Sequence, residues 1–333
     1  MFRFFSFFVF SSLLFFHSCK ESTNESVLYT SGGKTSEILV VISDELWKSQ
    51  VGDTITSVLG EVKPWLAQEE PWFDLFVIKH EAFADVYQKY RNVLIVKINS
   101  TVEENLVKAR KDVFAKPQTI IDIKAKSKED FYKMFDERKV QIGQLFHENE
   151  LERIASAYRG LEVDSITTIQ QNKFGFSMIM PQGFFIAANK ADFAWIRKVT
   201  PDIEEGFLIY TKPYSKTDDF NLNTILAYRD SITKIYIPGP LDSTYMKTSE
   251  VFPHHFEITT FKGNYAALTR SWWDIYRYPM GGPFINYTFV DTLASRLITI
   301  DGYIKAPKKT KRDLLLHLEA IMSTFTMEQE GKN

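Results

Sequence analysis

Cysteine is almost missing from this chain: among 333 residues only Cys19 occurs. A lone thiol closes no internal disulfide, so a disulfide scaffold is excluded and the residue needs another role. Basic excess is missing too. Beyond residue 18 the chain carries 39 Lys and Arg against 42 Asp and Glu. Nothing there neutralises a run of phosphates, so nucleic acid is not expected as a partner. After Phe16 no apolar run approaches the roughly 20 residues of a membrane span. The histidines after residue 18 are His80, His147, His254, His255 and His317. Neighbours His254 and His255 would point to opposite faces of a strand. His147-Glu148 lacks the second His of a zincin helix. Neither a metal nor a cofactor is therefore expected. A Gly-x-Ser-x-Gly elbow is absent. Gly32-Gly33-Lys34-Thr35 has Leu28 where a phosphate-binding loop needs glycine, and it precedes the first strand. The adjacent acids Glu69-Glu70, Glu204-Glu205 and Asp218-Asp219 read as solvated surface. Glycosidase carboxylates instead come from separate elements. No catalytic residue is expected from these motifs.

What is present begins at the N-terminus. Arg3, the apolar run Phe4 to Phe16, and small Ser18 before Cys19 follow the grammar of a secretory signal. The stretch resembles a bacterial lipoprotein signal, in which the Cys becomes the lipidated first residue. An ordinary signal peptide or an uncleaved anchor with a chance cysteine is the alternative. The expected organisation is a signal over 1–18, a flexible tether over 19–36, an N-terminal α/β domain over 37–160 and a C-terminal α+β domain over 173–327.

In the first domain, continuous apolar runs predict buried strands at Glu37 to Ile42, Phe73 to Ile78, Val93 to Ile98 and Thr119 to Ile123. Helices are expected over 52–62 and 81–89, and a weak one over 102–113. Ser127 and Asp130 read as a capping box opening a helix to about Arg159. Its apolar phase slips before Leu151, so a bend is expected near Gly143 or Glu148. From residue 174 the texture becomes β-rich, with a helix over 221–233 and a long loop over 236–255. A last strand runs from Arg296 to Ala306. Thr310 and Asp313 then read as the capping box of a final helix, whose apolar stripe runs from Leu314 to Phe325. The fold class expected is α+β, with an antiparallel sheet carrying the terminal helix on one face.

Arg270 to Phe284 (RSWWDIYRYPMGGPF) is the most distinctive stretch. Alternation puts Arg270, Trp272, Asp274 and Tyr276 on one strand face and Trp273 on the other. Pro-Met-Gly-Gly-Pro reads as the turn that follows. Arg270, Trp272, Trp273, Asp274, Tyr276 and Met280 are the candidate partner or ligand patch, since Trp, Tyr and Arg anchor interfaces. The alternative is a two-sided buried strand with an internal Arg-Asp pair.

With the Cys19 signal, the Glu37 to Ile42 start, Pro117-Gln118-Thr-Ile-Ile and Met280-Gly-Gly-Pro-Phe284 in view, the chain resembles an uncharacterised lipoprotein family of Bacteroidetes-type bacteria. That family is a domain of unknown function, so it implies architecture and address but no catalytic residue. The second half is loosely similar to PsbP-like α+β folds, a likeness of fold alone. The expectation is a non-enzymatic accessory or binding module, lipid-anchored at the outer membrane and facing the periplasm or the surface. An envelope protein is its expected partner. A carboxylate hydrolase of cell-wall, glycan or lipid substrates is the alternative.

Overall fold

The computed structural model describes residues 28–327. The signal, Cys19 and the first part of the tether lie outside them. Among the described residues no helix is long and apolar enough to cross a membrane. The fold is mixed: an N-terminal α/β region with a long helix, and a C-terminal antiparallel sheet with a terminal helix.

The first sheet holds β1 (Glu37–Val41), β2 (Asp74–Ile78), β3 (Asn92–Ile98), β4 (Leu106–Lys111) and β5 (Thr119–Ala125), in the order β2-β1-β3-β5-β4. Strands β2, β1, β3 and β5 are parallel, and β4 runs antiparallel along one edge. Parallel strands are covered on both faces, hence their unbroken apolar runs. Ile38 and Val40 pack under α1 (Gln50–Leu59) and α2 (Lys128–Tyr158), while Leu39 and Val41 pack under Phe83, Tyr87 and Tyr90. Strand β4 replaces the weak helix read over 102–113. An edge strand needs no apolar face, and Arg110 instead clamps Asp122 of β5 at 2.6 and 3.1 Å. The last part of the stretch read as a tether is paired to the first domain. Tyr29–Thr30 pairs parallel with Ala115–Lys116, and the Gly32 N–H donates to the Lys89 carbonyl at 2.8 Å.

Helix α2 is continuous over 31 residues, about 46 Å at 1.5 Å per residue. Its apolar phase slips because its partner changes. Phe131, Phe135, Ile142 and Phe146 bury in the first domain, whereas Ile154 packs on Leu316 and Ala320 of the terminal helix. Gly143 marks a close approach: a Cβ there would lie 2.4 Å from the Trp72 ring.

The second sheet is antiparallel throughout. It contains β6 (Phe185–Lys190), β7 (Phe193–Val199), β8 (Glu204–Pro213), β9 (Met246–Thr248), β10 (His255–Phe261), β11 (Asn264–Ile275), β12 (Tyr278–Asp291) and β13 (Arg296–Lys305). The order is β9-β11-β12-β13-β8-β7-β6, with β10 also pairing β11. The terminal helix covers one face, as expected, and a second helix covers the other. Terminal helix α4 (Arg312–Ser323) lays Leu318, Ile321 and Met322 against Ile298 and Ile300; α3 (Leu222–Tyr236) covers Leu208, Trp273 and Phe284 on the other side. Under α3, fully buried Arg229 pairs with buried Asp301 at 2.8 Å. Asn286 donates to the same carboxylate at 3.0 Å, supplying the extra hydrogen bond a buried ion pair requires.

Pro-Met-Gly-Gly-Pro is not a turn. The chain reverses at Tyr276-Arg277, and Trp273 lies across from Gly282 inside the ladder. A Cβ on Gly282 would lie 1.9 Å from the Ile304 carbonyl oxygen, so the glycine serves close packing.

The acidic pairs are not simply surface, because Glu70, Glu205 and Asp219 are buried. Asp219 accepts from Lys212 Nζ at 2.6 Å. Glu70 joins the domains. Its carboxylate accepts from the Lys311 N–H at 2.9 Å and from the Arg312 N–H at 2.7 Å, capping α4. The expected Thr310/Asp313 box does not form, since Asp313 accepts from the Ser36 hydroxyl at 2.8 Å and from Arg312 Nε at 2.9 Å. Arg312 reaches back to the Pro71 carbonyl at 3.0 Å and to Asp74 at 2.9 Å. Glu70→Ala leaves two donors unmet, the Lys311 N–H buried and the Arg312 N–H partly so, and is expected to cost about 1–3 kcal/mol in urea unfolding of the full-length protein. Glu69→Ala, at an exposed site, is the control. Equal losses for the two variants would contradict the cap.

Candidate functional site

The loop from Glu61 to Trp72 enters the domain seam as a closed unit. The Trp72 N–H donates to the Glu61 carbonyl at 2.8 Å, and the Lys63 N–H donates to the Glu70 carbonyl at 3.2 Å. Tied at its base, the loop presents Lys63, Trp65 and Trp72. These side chains form one wall of a cavity of about 360 Å³ between the domains. Helix α2 adds Val140, Gln144 and His147, spaced by four and three residues and so on one face. Helix α4 contributes Leu315, Leu316 and Glu319; the second sheet contributes His255, Glu257, Arg270 and Ile285. The volume lies within the range of small-molecule sites, which are mostly apolar with a few placed polar groups.

Charges in this cavity are arranged in pairs. Glu319 holds Arg270 in a direct ion pair and lies 3.5 Å from His147 Nε2. Burial raises the Glu319 carboxyl, but the Arg270 charge and then His147 outweigh it and bring it to about 2. For Arg270 burial pulls the proton affinity down, and Glu319 more than restores it, leaving the guanidinium above its ordinary value. Lys63 Nζ stands 4.2 Å from the Trp72 ring centroid, a cation–π contact. Burial lowers its pKa against the opposing pull of Glu61. The His255 ring lies 4.9 Å from that of Trp65, and its pKa is lowered by burial and then by Arg270.

Of the six residues read as a patch, only Arg270 reaches this cavity. Trp273 is core, 1% exposed, with its Nε1–H donating to the Ile304 carbonyl at 3.2 Å. Trp272 is 8% exposed and packs on Phe252 at 4.9 Å. Neither indole offers an open face. Arg270 pairs with Glu319 instead of Asp274. Asp274, Tyr276 and Met280 line a separate shallow depression near the hairpin end, where Tyr276 stacks on Tyr245 at 5.0 Å. His254 and His255 do point apart, His254 toward the Ser271 hydroxyl at 2.6 Å. No group of three or more His, Cys, Asp or Glu among the described residues could hold a metal ion. Sequence reasoning missed Lys63, Trp65, Trp72, His147 and Glu319. A usable signal existed in the first three: Lys63-Pro-Trp65 and Pro71-Trp72 place two indoles and a cation in one short loop.

Each half of the chain matches a family of unknown function. Residues 163–324 match the domain of unknown function DUF4837, and residues 31–159 match the domain of unknown function DUF8532. No curated protein sequence matches. Among solved structures, the Ran-binding protein Mog1p of Saccharomyces cerevisiae is similar over 46% of this chain and 90% of its own, at 9% identity and a TM-score of 0.31. LpqN of Mycobacterium tuberculosis, described as involved in cell envelope biogenesis, is similar over 46% of this chain and 83% of its own, at 10% identity and a TM-score of 0.29. Likenesses of this extent carry no argument about function.

The Glu319 ion pair sets an acid response. Its carboxyl titrates at about 2 when folded and near its ordinary 4.5 when unfolded. A depressed carboxylate stabilises the fold fully above the unfolded value, and that share is lost as pH falls through the folded one. Glu319→Gln is therefore expected to flatten the fall of the urea midpoint between pH 4.5 and about 2. A fall as steep as the parent's would refute the assignment.

Proposed function

We propose that this chain is a non-enzymatic binding module of the bacterial envelope. It is anchored at the outer membrane by lipid on Cys19 and takes a small ligand at the domain seam on behalf of an envelope protein. The observation that supports it is the roughly 360 Å³ cavity walled by Trp65 and Trp72, whose acid Glu319 is occupied by Arg270 and His147. A carboxylate hydrolase requires an acid held protonated near its working pH. Glu319 is instead held by Arg270 and His147, which supports binding over a general-acid role for this residue. Cys19 supplies the address, and Tyr29 to Ser36 secure the chain to the first domain close behind it.

One preparation tests both parts of the reading. Full-length protein extracted from its own envelopes in detergent is expected to fractionate with membranes and to carry a small-molecule mass in native mass spectrometry. Cys19→Ser is expected to release it or leave an unprocessed precursor, and Trp65→Leu to remove the added mass. Unchanged fractionation of the first variant, or no bound mass in the parent, would contradict the corresponding part.

A further inference from the structure

Resting on that reading of the cavity, we infer that its ligand is a ring-bearing organic anion. The ring lies against the Trp65 and Trp72 wall, and a carboxylate meets Lys63 and His255. Three basic groups from two domains surround one indole. Relative to Trp65, His255 lies 4.9 Å from the ring centroid, Lys63 Nζ 5.6 Å and Arg270 Cζ 5.8 Å. The Lys63 and Arg270 charges repel one another unless counter-charges meet them, and their field disfavours a proton on His255.

The counter-charges are unequal. Arg270 has a sheltered one, Glu319, whose side chain is 11% exposed. Glu150, the other buried acid of the wall, is spent on Arg153 at 2.9 Å and Arg91 at 3.3 Å. Among the described residues, the ion-pair partners of Lys63 and His255 are solvated. Glu61 sits 3.1 Å from Lys63 and is 60% exposed, and Glu257 sits 3.8 Å from His255 and is 48% exposed. Exposed ion pairs contribute little and exchange readily. An incoming anion can therefore replace Glu61 and Glu257 while leaving the Arg270–Glu319 pair intact. Burial is the main cause lowering both Lys63 and His255, and the Arg270 charge lowers both further, as a shared positive field requires. The ligand's remaining surface meets Leu66, Phe73 and Leu315, which suits a ring more than a fully polar ion.

The acid on a ring can belong to an aromatic acid or to a sugar acid, and matched probes separate these. Full-length protein is titrated calorimetrically with 2-naphthoate against 2-naphthamide, and with methyl β-glucuronide against methyl β-glucoside. At least one acid is expected to bind tighter than its neutral twin by about tenfold or more, a charge-assisted contact's worth. Lys63→Met is expected to erase that preference and Lys63→Arg to keep it, with the thermal midpoint of each variant close to the parent's. The acid that wins names the ligand's source. Neutral twins that bind as tightly as the acids, and lose binding in Trp65→Leu, would overturn the anion and leave the cavity as a binding site. No binding by any of the four probes would overturn the ring-bearing anion, while the small-molecule mass carried by the envelope-extracted protein decides separately whether the cavity binds a ligand.

Discussion

A buried carboxylate must find donors or the fold loses more than it gains by burying it. Glu70 finds them on another domain. Its two oxygens take the Lys311 and Arg312 N–H groups, which the first turn of α4 cannot satisfy internally. One side chain thus meets two requirements, its own desolvation and the helix's open donors. The negative charge also sits where the helix dipole favours it. The Glu61 to Trp72 loop is thereby fixed to α4, and with it the positions of Lys63, Trp65 and Trp72. Ser36–Asp313 and Arg312–Asp74 lie beside the cap and limit rotation about it. The cavity exists because these contacts hold two separately built domains at one distance.

Helix α2 completes the frame. Its first half is a layer of the N-terminal domain and its end packs on α4, so one rigid element spans the seam. Gly143 lets the Trp72 ring rest on the helix itself. The cavity wall is accordingly supported from behind, and its polar groups are set by secondary structure on three sides. Such preorganisation lowers the ordering cost of binding.

Much of the fold was legible in the sequence, and the reason is physical. Parallel strands covered on both faces leave continuous apolar runs such as Ile38 to Val41, and a helix on a sheet leaves a stripe such as Leu315 to Met322. Elements that owe their form to a distant partner left no such trace. Leu106–Lys111 is an edge strand held by Arg110 and Asp122, a partner that the weak helical pattern over 102–113 did not reveal. Gly281 and Gly282 looked like turn residues because the need of Trp273 for space across the ladder is a tertiary fact. Glu70 looked solvated because its donors lie some 240 residues away. The site was harder still. Its residues come from both domains, and only Arg270 stood in a stretch that attracted notice.

The central claim is that Glu70 ties α4 to the first domain. Native-state hydrogen exchange at the Lys311 and Arg312 amides tests it most directly, because first-turn amides of a helix ordinarily lack partners and exchange freely. The account predicts strong protection at both, lost together in Glu70→Gln only to the extent that the weaker amide acceptor fails to hold them, and lost fully in Glu70→Ala. Free exchange at both positions in the parent protein would contradict the claim and leave the two domains without their shared cap.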